Sequence, residues 1–185
     1  MRWQEIDGWL TVEEGWTLKH LAKMVPQGGL IVEVGCWKGR STAALALGSE
    51  GKRLATIDHF RGDDPEHFAD PDLPKLRLKL IDNLAACGVG DRVDVIEGES
   101  EEVAAGWHEP IDLLFLDGSH DYDSVKADIA AWWPHVRGAM VFHDYCPEWP
   151  GVVKAVDEAG LGGCVIPDTS LYIAYKETTC PERDD

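Results

Sequence analysis

A chain of 185 residues, 44% of them hydrophobic, is long enough to bury a core as one domain without disulfides or metal staples. Against 17 basic residues stand 34 acidic ones, a net charge of −17 that repels phosphate backbones and anionic bilayers, so neither nucleic acid nor a membrane is an expected partner. The five cysteines (Cys36, Cys87, Cys146, Cys164, Cys180) are scattered and never in CxxC spacing. They point to neither a disulfide framework nor a thiolate zinc site. With no apolar leader and no apolar stretch near the roughly 20 residues that span a bilayer, the expected location is cytoplasmic.

Glycine and proline punctuation divides the chain into short apolar runs separated by helix-like stretches, as in a parallel sheet covered by helices on both faces. Thr11 and Glu14 have capping-box spacing, and Leu18, Leu21, Ala22 and Val25 follow at helical intervals until Pro26 and Gly28-Gly29. Residues 1–27 thus read as a helical opening to a single domain covering 1–185. Strands are predicted at Leu30 to Val34, Arg53 to Ile57, Val93 to Ile96, Ile111 to Leu116 and Ala139 to Phe142. Between them fall helices at Ser41 to Leu47, Leu76 to Cys87, Ser100 to Gly106 and Tyr122 to Trp133. After a helix at Val152 to Ala159, Cys164 to Ile166 and Leu171 to Tyr175 are expected to close the sheet as an antiparallel hairpin. The prediction is an α/β, Rossmann-like, mostly parallel sheet of seven strands. Most of the eight tryptophans are expected in the core.

In such sheets ligands bind beyond the carboxyl ends of the strands. Here those ends carry Glu33 and Gly35, Asp58, Gly98 to Ser100, Asp117, and His143-Asp144. Any one carboxylate could serve only as an N-cap for the next helix, but five consecutive polar ends form a series. The first turn, EVGCWKGRS from Glu33 to Ser41, places Trp37 and Arg40 where the dinucleotide fingerprint needs its second and third glycines, and it lacks a Walker GKS or GKT. This argues against NAD or FAD and suits a nucleoside ligand without phosphate. Asp58, 23 positions after Gly35, stands near the offset at which an acid takes ribose hydroxyls. The acidic, proline-bearing stretch Phe60 to Pro74, FRGDDPEHFADPDLP, within 60–75, reads equally as a lid or as a solvated connector.

The blocks GWLTVEEGWTLKHLA, IVEVGCWKGRST, TIDHF, DRVDVIEGES, LLFLDGSHDYDSVKADIAAWWP, VFHDY and GVVKAVDE resemble the class I S-adenosylmethionine-dependent methyltransferases, in particular the small branch related to macrocin-type sugar and catechol O-methyltransferases. The resemblance covers most of the chain. It implies that Glu33, Gly35, Trp37, Gly39 and Ser41 surround the methionine and ribose of the cofactor, that Asp58 takes the ribose diol, that Gly98, Glu99 and Ser100 border the adenine, and that Asp117 lies below the sulfonium. The implied reaction transfers a methyl group to a hydroxyl of a small molecule or sugar.

Read from the residues alone, His120 is either a helix-start residue bonded to Asp117 or Asp121, or a general base. The resemblance favours the base, since metal-dependent members carry Lys or His at this offset from the strand-four acid. Asp144 joins His120 as a catalytic candidate. Asp117, His143 and Asp144 form a candidate ligand set for magnesium or another divalent ion. Metal-dependent members carry two carboxylates or an Asp-Asn pair after strand five, so a metal-free, hydrogen-bonding role for His143 stays open. Trp149 and Tyr145 either line an acceptor pocket or cap the sheet edge. Other readings are a non-catalytic cofactor-binding partner or sensor domain and a nucleotide-dependent oxidoreductase, the latter opposed by Trp37. Homo-oligomerisation is left open.

Overall fold

In the computed structural model, residues 1–62 and 72–176 are described. The opening helix α1 runs over Val12–Met24. Its capping box forms as the spacing predicts: Thr11 Oγ1 accepts the Glu14 N–H at 3.2 Å while the Glu14 carboxylate accepts the Thr11 N–H at 2.9 Å. The chain then alternates β1 (Leu30–Val34), α2 (Arg40–Gly48), β2 (Arg53–Asp58), α3 (Leu76–Ala86), β3 (Val93–Glu97), α4 (Ser100–Ala105), β4 (Ile111–Leu116), α5 (Tyr122–Trp132), β5 (Val136–Phe142) and α6 (Pro150–Ala159). It closes with β6 (Gly163–Val165) and β7 (Tyr172–Tyr175).

The seven strands lie in the order β3-β2-β1-β4-β5-β7-β6. β1 to β5 pair in parallel, and β7 pairs antiparallel with both β5 and β6. The chain winds outward from β1 in one direction as far as β3, then crosses to β4 on the other side of β1. That reversal makes the β1/β4 junction the switch point where a crevice must open.

Strand alternation assigns the two faces. Ile31, Leu113, Phe115 and Val141 pack under α1, α2 and α3, together with Leu18, Leu45 and Leu80. Val32, Leu114, Leu116 and Phe142 pack under α4, α5 and α6, together with Ile129, Trp132 and Val156. Both faces of the central strands are therefore apolar, the pattern of a doubly covered parallel sheet.

β5 starts three residues before the predicted Ala139. Arg137 and Gly138 interrupt its apolar run in sequence, yet both are held by β4: Arg137 forms a two-pronged ion pair with Asp112 at 2.8 Å, and a Cβ on Gly138 would lie 2.1 Å from the Asp112 carbonyl oxygen. Most of the tryptophans lie in the core or pack against it, as expected. Trp3 and Trp132 are buried, Trp9 and Trp16 are exposed, and the others are half-buried. Of the segment read as a lid or connector, 63–71 lies outside the described residues, as does Cys180. Among the described residues no helix is long and apolar enough to cross a membrane.

Candidate active site

Strand register sets the strand ends level. Val34 pairs with both Ile57 and Leu116, Asp58 with Glu97, and Leu116 with Phe142, so Gly35, Asp58, Asp117 and His143 emerge along one edge of the sheet. At the switch point the backbones nearly touch. Gly35 has φ +82°, and a Cβ there would lie 2.1 Å from the Asp117 carbonyl oxygen, so only glycine fits.

The turn from Gly35 to Gly39 is held from beneath by Asp58, whose Oδ2 accepts the N–H groups of Cys36 and Trp37, both at 3.0 Å, while Oδ1 accepts the Phe60 N–H at 2.7 Å. Oδ2 also faces the Cys36 thiol at 3.6 Å, whereas Oδ1, with a single donor, keeps a lone pair for a further one. Trp37 itself adopts φ +43°, a left-handed conformation unusual for an aromatic residue.

Glu33 is wholly buried. Thr42 and Thr56 both donate to its Oε2, at 2.6 and 2.7 Å, which leaves Oε1 without a partner. Burial pushes this carboxyl up to about 7, against the opposing pull of the Ser41, Thr42 and Thr56 hydroxyls. An orphaned, buried oxygen beneath a backbone turn fits a site that receives a donor from a ligand. Gly39 is differently employed: its N–H bonds Cys36 O at 2.7 Å, and a Cβ there would meet Leu80 of α3 at 2.5 Å.

Beyond β3, the Gly98 N–H bonds Asp58 O at 3.1 Å and Glu99 pairs with Arg61. The Ser100 hydroxyl donates to Asp128 and accepts the Trp132 indole N–H at 2.8 Å, so it serves the packing of α4 on α5.

Beside the switch point lies a group of histidines and carboxylates. His143 Nδ1 faces Asp117 Oδ1 at 2.9 Å and Asp144 Oδ2 at 3.0 Å, and His120 Nε2 meets that same Asp144 oxygen at 2.8 Å. Asp144 reaches back between the two rings from a left-handed backbone with φ +56°. Trp149 stacks on His120 with centroids 4.1 Å apart, and Gly151 of α6 lets that helix approach, since a Cβ there would lie 2.6 Å from His120 O. The indole thus holds the imidazole in place.

Burial opposes charge on every member, and mutual pairing outweighs it on most of them. His143 is held far above its ordinary value by Asp117, Asp144 and Glu14, and His120 is raised by Asp144 and Asp117. Asp144 is kept well below the usual carboxylate range by the two histidines, whereas burial wins at Asp117 and pushes it up despite His143.

Asp117, His120 and Asp144 each offer one ligand atom, all within 4.8 Å of one another. This mixed oxygen and nitrogen set fits a divalent cation. It differs from the set read in the sequence at one position. His143 drops out because both its nitrogens are engaged, and His120, three residues after β4, takes its place.

The residue that sequence reasoning missed is Glu14. Besides capping α1, its Oε2 lies 3.3 Å from His143 Nε2, and its Oε1 accepts the Ser170 N–H at 2.9 Å and hydroxyl at 2.7 Å. Burial is outweighed by these donors, which hold the carboxyl well below its usual range. Its capping-box position explained Glu14 locally and so hid a contact 129 residues away.

A family model described as a methyltransferase domain matches residues 32–145. Among solved structures, cofactor-bound Rv0187 from MTB is similar over 92% of this chain and 83% of its own, with a TM-score of 0.72 and 21% identity. The O-methyltransferase from Bacillus cereus, in complex with S-adenosylhomocysteine (SAH), covers 93% of this chain and 84% of its own at TM-score 0.67 and 19% identity. CalS11, a TDP-rhamnose 3′-O-methyltransferase of calicheamicin biosynthesis, covers 90% and 81% at TM-score 0.63 and 19% identity. A β1-to-β5 match that ends on the very histidine–carboxylate group built above, on this seven-stranded fold, places the chain in the methyltransferase domain family, among the class I S-adenosylmethionine-dependent enzymes.

Proposed function

We propose that this chain transfers a methyl group from S-adenosylmethionine to a hydroxyl of a small molecule or sugar. The observation that carries the reading is the level row of strand ends, with Asp58 and the unpartnered oxygen of Glu33 around the Gly35 turn and the His120–Asp144 pair next to it. The O-methyl specificity and the sugar-like acceptor draw support from the likeness to the Bacillus and TDP-rhamnose enzymes.

In this reading Asp58 takes the ribose hydroxyls and Glu33 accepts a donor from the methionine end. Methyl transfer is an in-line displacement, so the protein's task is to align donor and acceptor and exclude water. His120 donates its Nε2 proton to Asp144 and takes the acceptor's proton at Nδ1, its ring fixed by Trp149. A divalent cation would be the alternative to this proton transfer: Asp117, His120 and Asp144 would hold it, with His120 then a ligand and not a base, and when bound it supplies Lewis-acid lowering of the hydroxyl pKa. We assign the whole chain to one domain acting in the cytoplasm.

Calorimetry with SAH and with NAD tests the donor: SAH binds and NAD does not, and the reverse overturns the reading. Labelled S-adenosylmethionine with a panel of phenols, sugars and nucleotide sugars, with and without a chelator, tests acceptor and metal. Methylation of nitrogen compounds alone would contradict a hydroxyl acceptor. Activity untouched by chelation would remove the cation.

A further inference from the structure

Residues 3–9 precede α1 and lie against the turn after β1. Trp9 stacks on Trp37 with centroids 4.3 Å apart and planes at 34°. Asp7 pairs with Lys38 Nζ at 3.1 Å, and that same ammonium sits 4.3 Å above the Trp37 ring. Arg40 Nη1 donates to Ile6 O and Gly8 O, both at 3.2 Å. Trp37, Lys38 and Arg40 are therefore all held by one short N-terminal arm, Lys38 jointly with Asp72 at 3.2 Å.

Core packing anchors the arm through Trp3 and Ile6 but does not account for Trp9. Trp9 is 64% exposed, yet it covers a residue in a left-handed conformation that side chains beyond glycine rarely adopt. Such a conformation persists only where the surroundings over-determine it. Asp58 accepts the Trp37 N–H, and Trp9 and the Lys38 ammonium both lie against the indole. If Trp37 relaxes, its N–H leaves Asp58, and the carboxylate assigned to the ribose loses one of the three backbone N–H groups that aim it.

We propose that the N-terminal arm is part of the cofactor site, with Trp9 a positioning residue that holds Trp37, and through it Asp58, in the shape the nucleoside meets. The inference rests on the cofactor reading of this turn given above. A preorganised site binds more tightly because the ligand need not impose the conformation.

SAH is the probe, in calorimetry on the full chain as wild type, Trp9→Ala and Trp9→Phe, with thermal melts alongside. Trp9→Ala is expected to raise the SAH Kd about 5- to 10-fold, the range of an aromatic pair. Because the ring is mostly exposed, Tm should stay within about 2 °C. Trp9→Phe, which retains a stacking face, should bring Kd back to within about 2-fold of wild type. Wild-type binding with Trp9→Ala equally tight overturns the arm's role and leaves the cofactor reading standing. A Kd loss that Phe does not rescue, or that tracks a large fall in Tm, also overturns it by making Trp9 merely structural. Failure of the wild type to bind SAH overturns the cofactor reading, and the arm's role with it.

Discussion

His120 is held between a carboxylate and an indole, with one nitrogen bonded to Asp144 and its ring face covered by Trp149. Burial lowers its pKa, and the Asp144 and Asp117 carboxylates more than offset this, so the ring is made more basic. His120→Ala is expected to lower turnover by about 100-fold or more while leaving the SAH Kd unchanged, in a methylation assay run beside calorimetry. Full turnover in that variant returns His120 to a hydrogen-bonding role. Glu33 yields a prediction about stability. Unfolded, it releases its proton near 4.5, and folded it does so near 7, so between those values the folded state keeps a proton the unfolded state has lost. Stability then falls as pH rises through this window, by roughly 3 kcal/mol in all. Glu33→Gln should remove that slope, so that its urea midpoint gains on the wild type between about pH 5 and about pH 8. Parallel midpoints across the range would mean that Glu33 titrates like an exposed glutamate.

At the scale of elements, the β1/β4 junction is the most constrained contact. Gly35 combines a positive φ with a backbone approach that leaves no space for a methyl group. Gly35→Ala is expected to cost about 3 kcal/mol or more and to abolish SAH binding, read by urea unfolding and calorimetry. A folded, SAH-binding Gly35→Ala would mean that the junction can open. The start of α1 makes the opposite kind of test, because its capping box was evident from spacing alone. Thr11→Ala removes one N-cap acceptor and a donor to Glu14, and should cost about 1 kcal/mol. A larger loss would place Thr11 within the network that ties α1 to His143 and Ser170.

Across the whole molecule, −17 formal charges must share one surface. Self-repulsion of that kind opposes the compact state and is screened by salt. Raising the ionic strength from about 0.01 M to about 0.15 M shortens the screening length from about 30 Å to about 8 Å. Tm should rise over that interval in a thermal melt, and a fall would mean that specific ion pairs such as Arg53–Glu109 outweigh the general repulsion.

Much of this was legible in the chain. Buried parallel strands are continuous apolar runs, and α1 carried its own start and stop signals, so local spacing was enough to place both sheet and helices. The polar strand ends were equally visible, because register only has to bring them level. Three features were not. Arg137 and Gly138 disguised the first residues of β5, since their partner Asp112 lies on the neighbouring strand. The exchange of His143 for His120 in the candidate ligand set depends on which nitrogens are already occupied, and Glu14, from the far end of the chain, occupies one of them. The exposed Trp9 gained a partner only when the arm folded back onto Trp37. Sequence by itself determined the elements and the row of chemical groups, because hydrophobic periodicity and turn chemistry act over a few residues. Tertiary structure alone decided which of those groups remain free for a ligand, because hydrogen-bond capacity is limited and is spent between residues that only folding brings together.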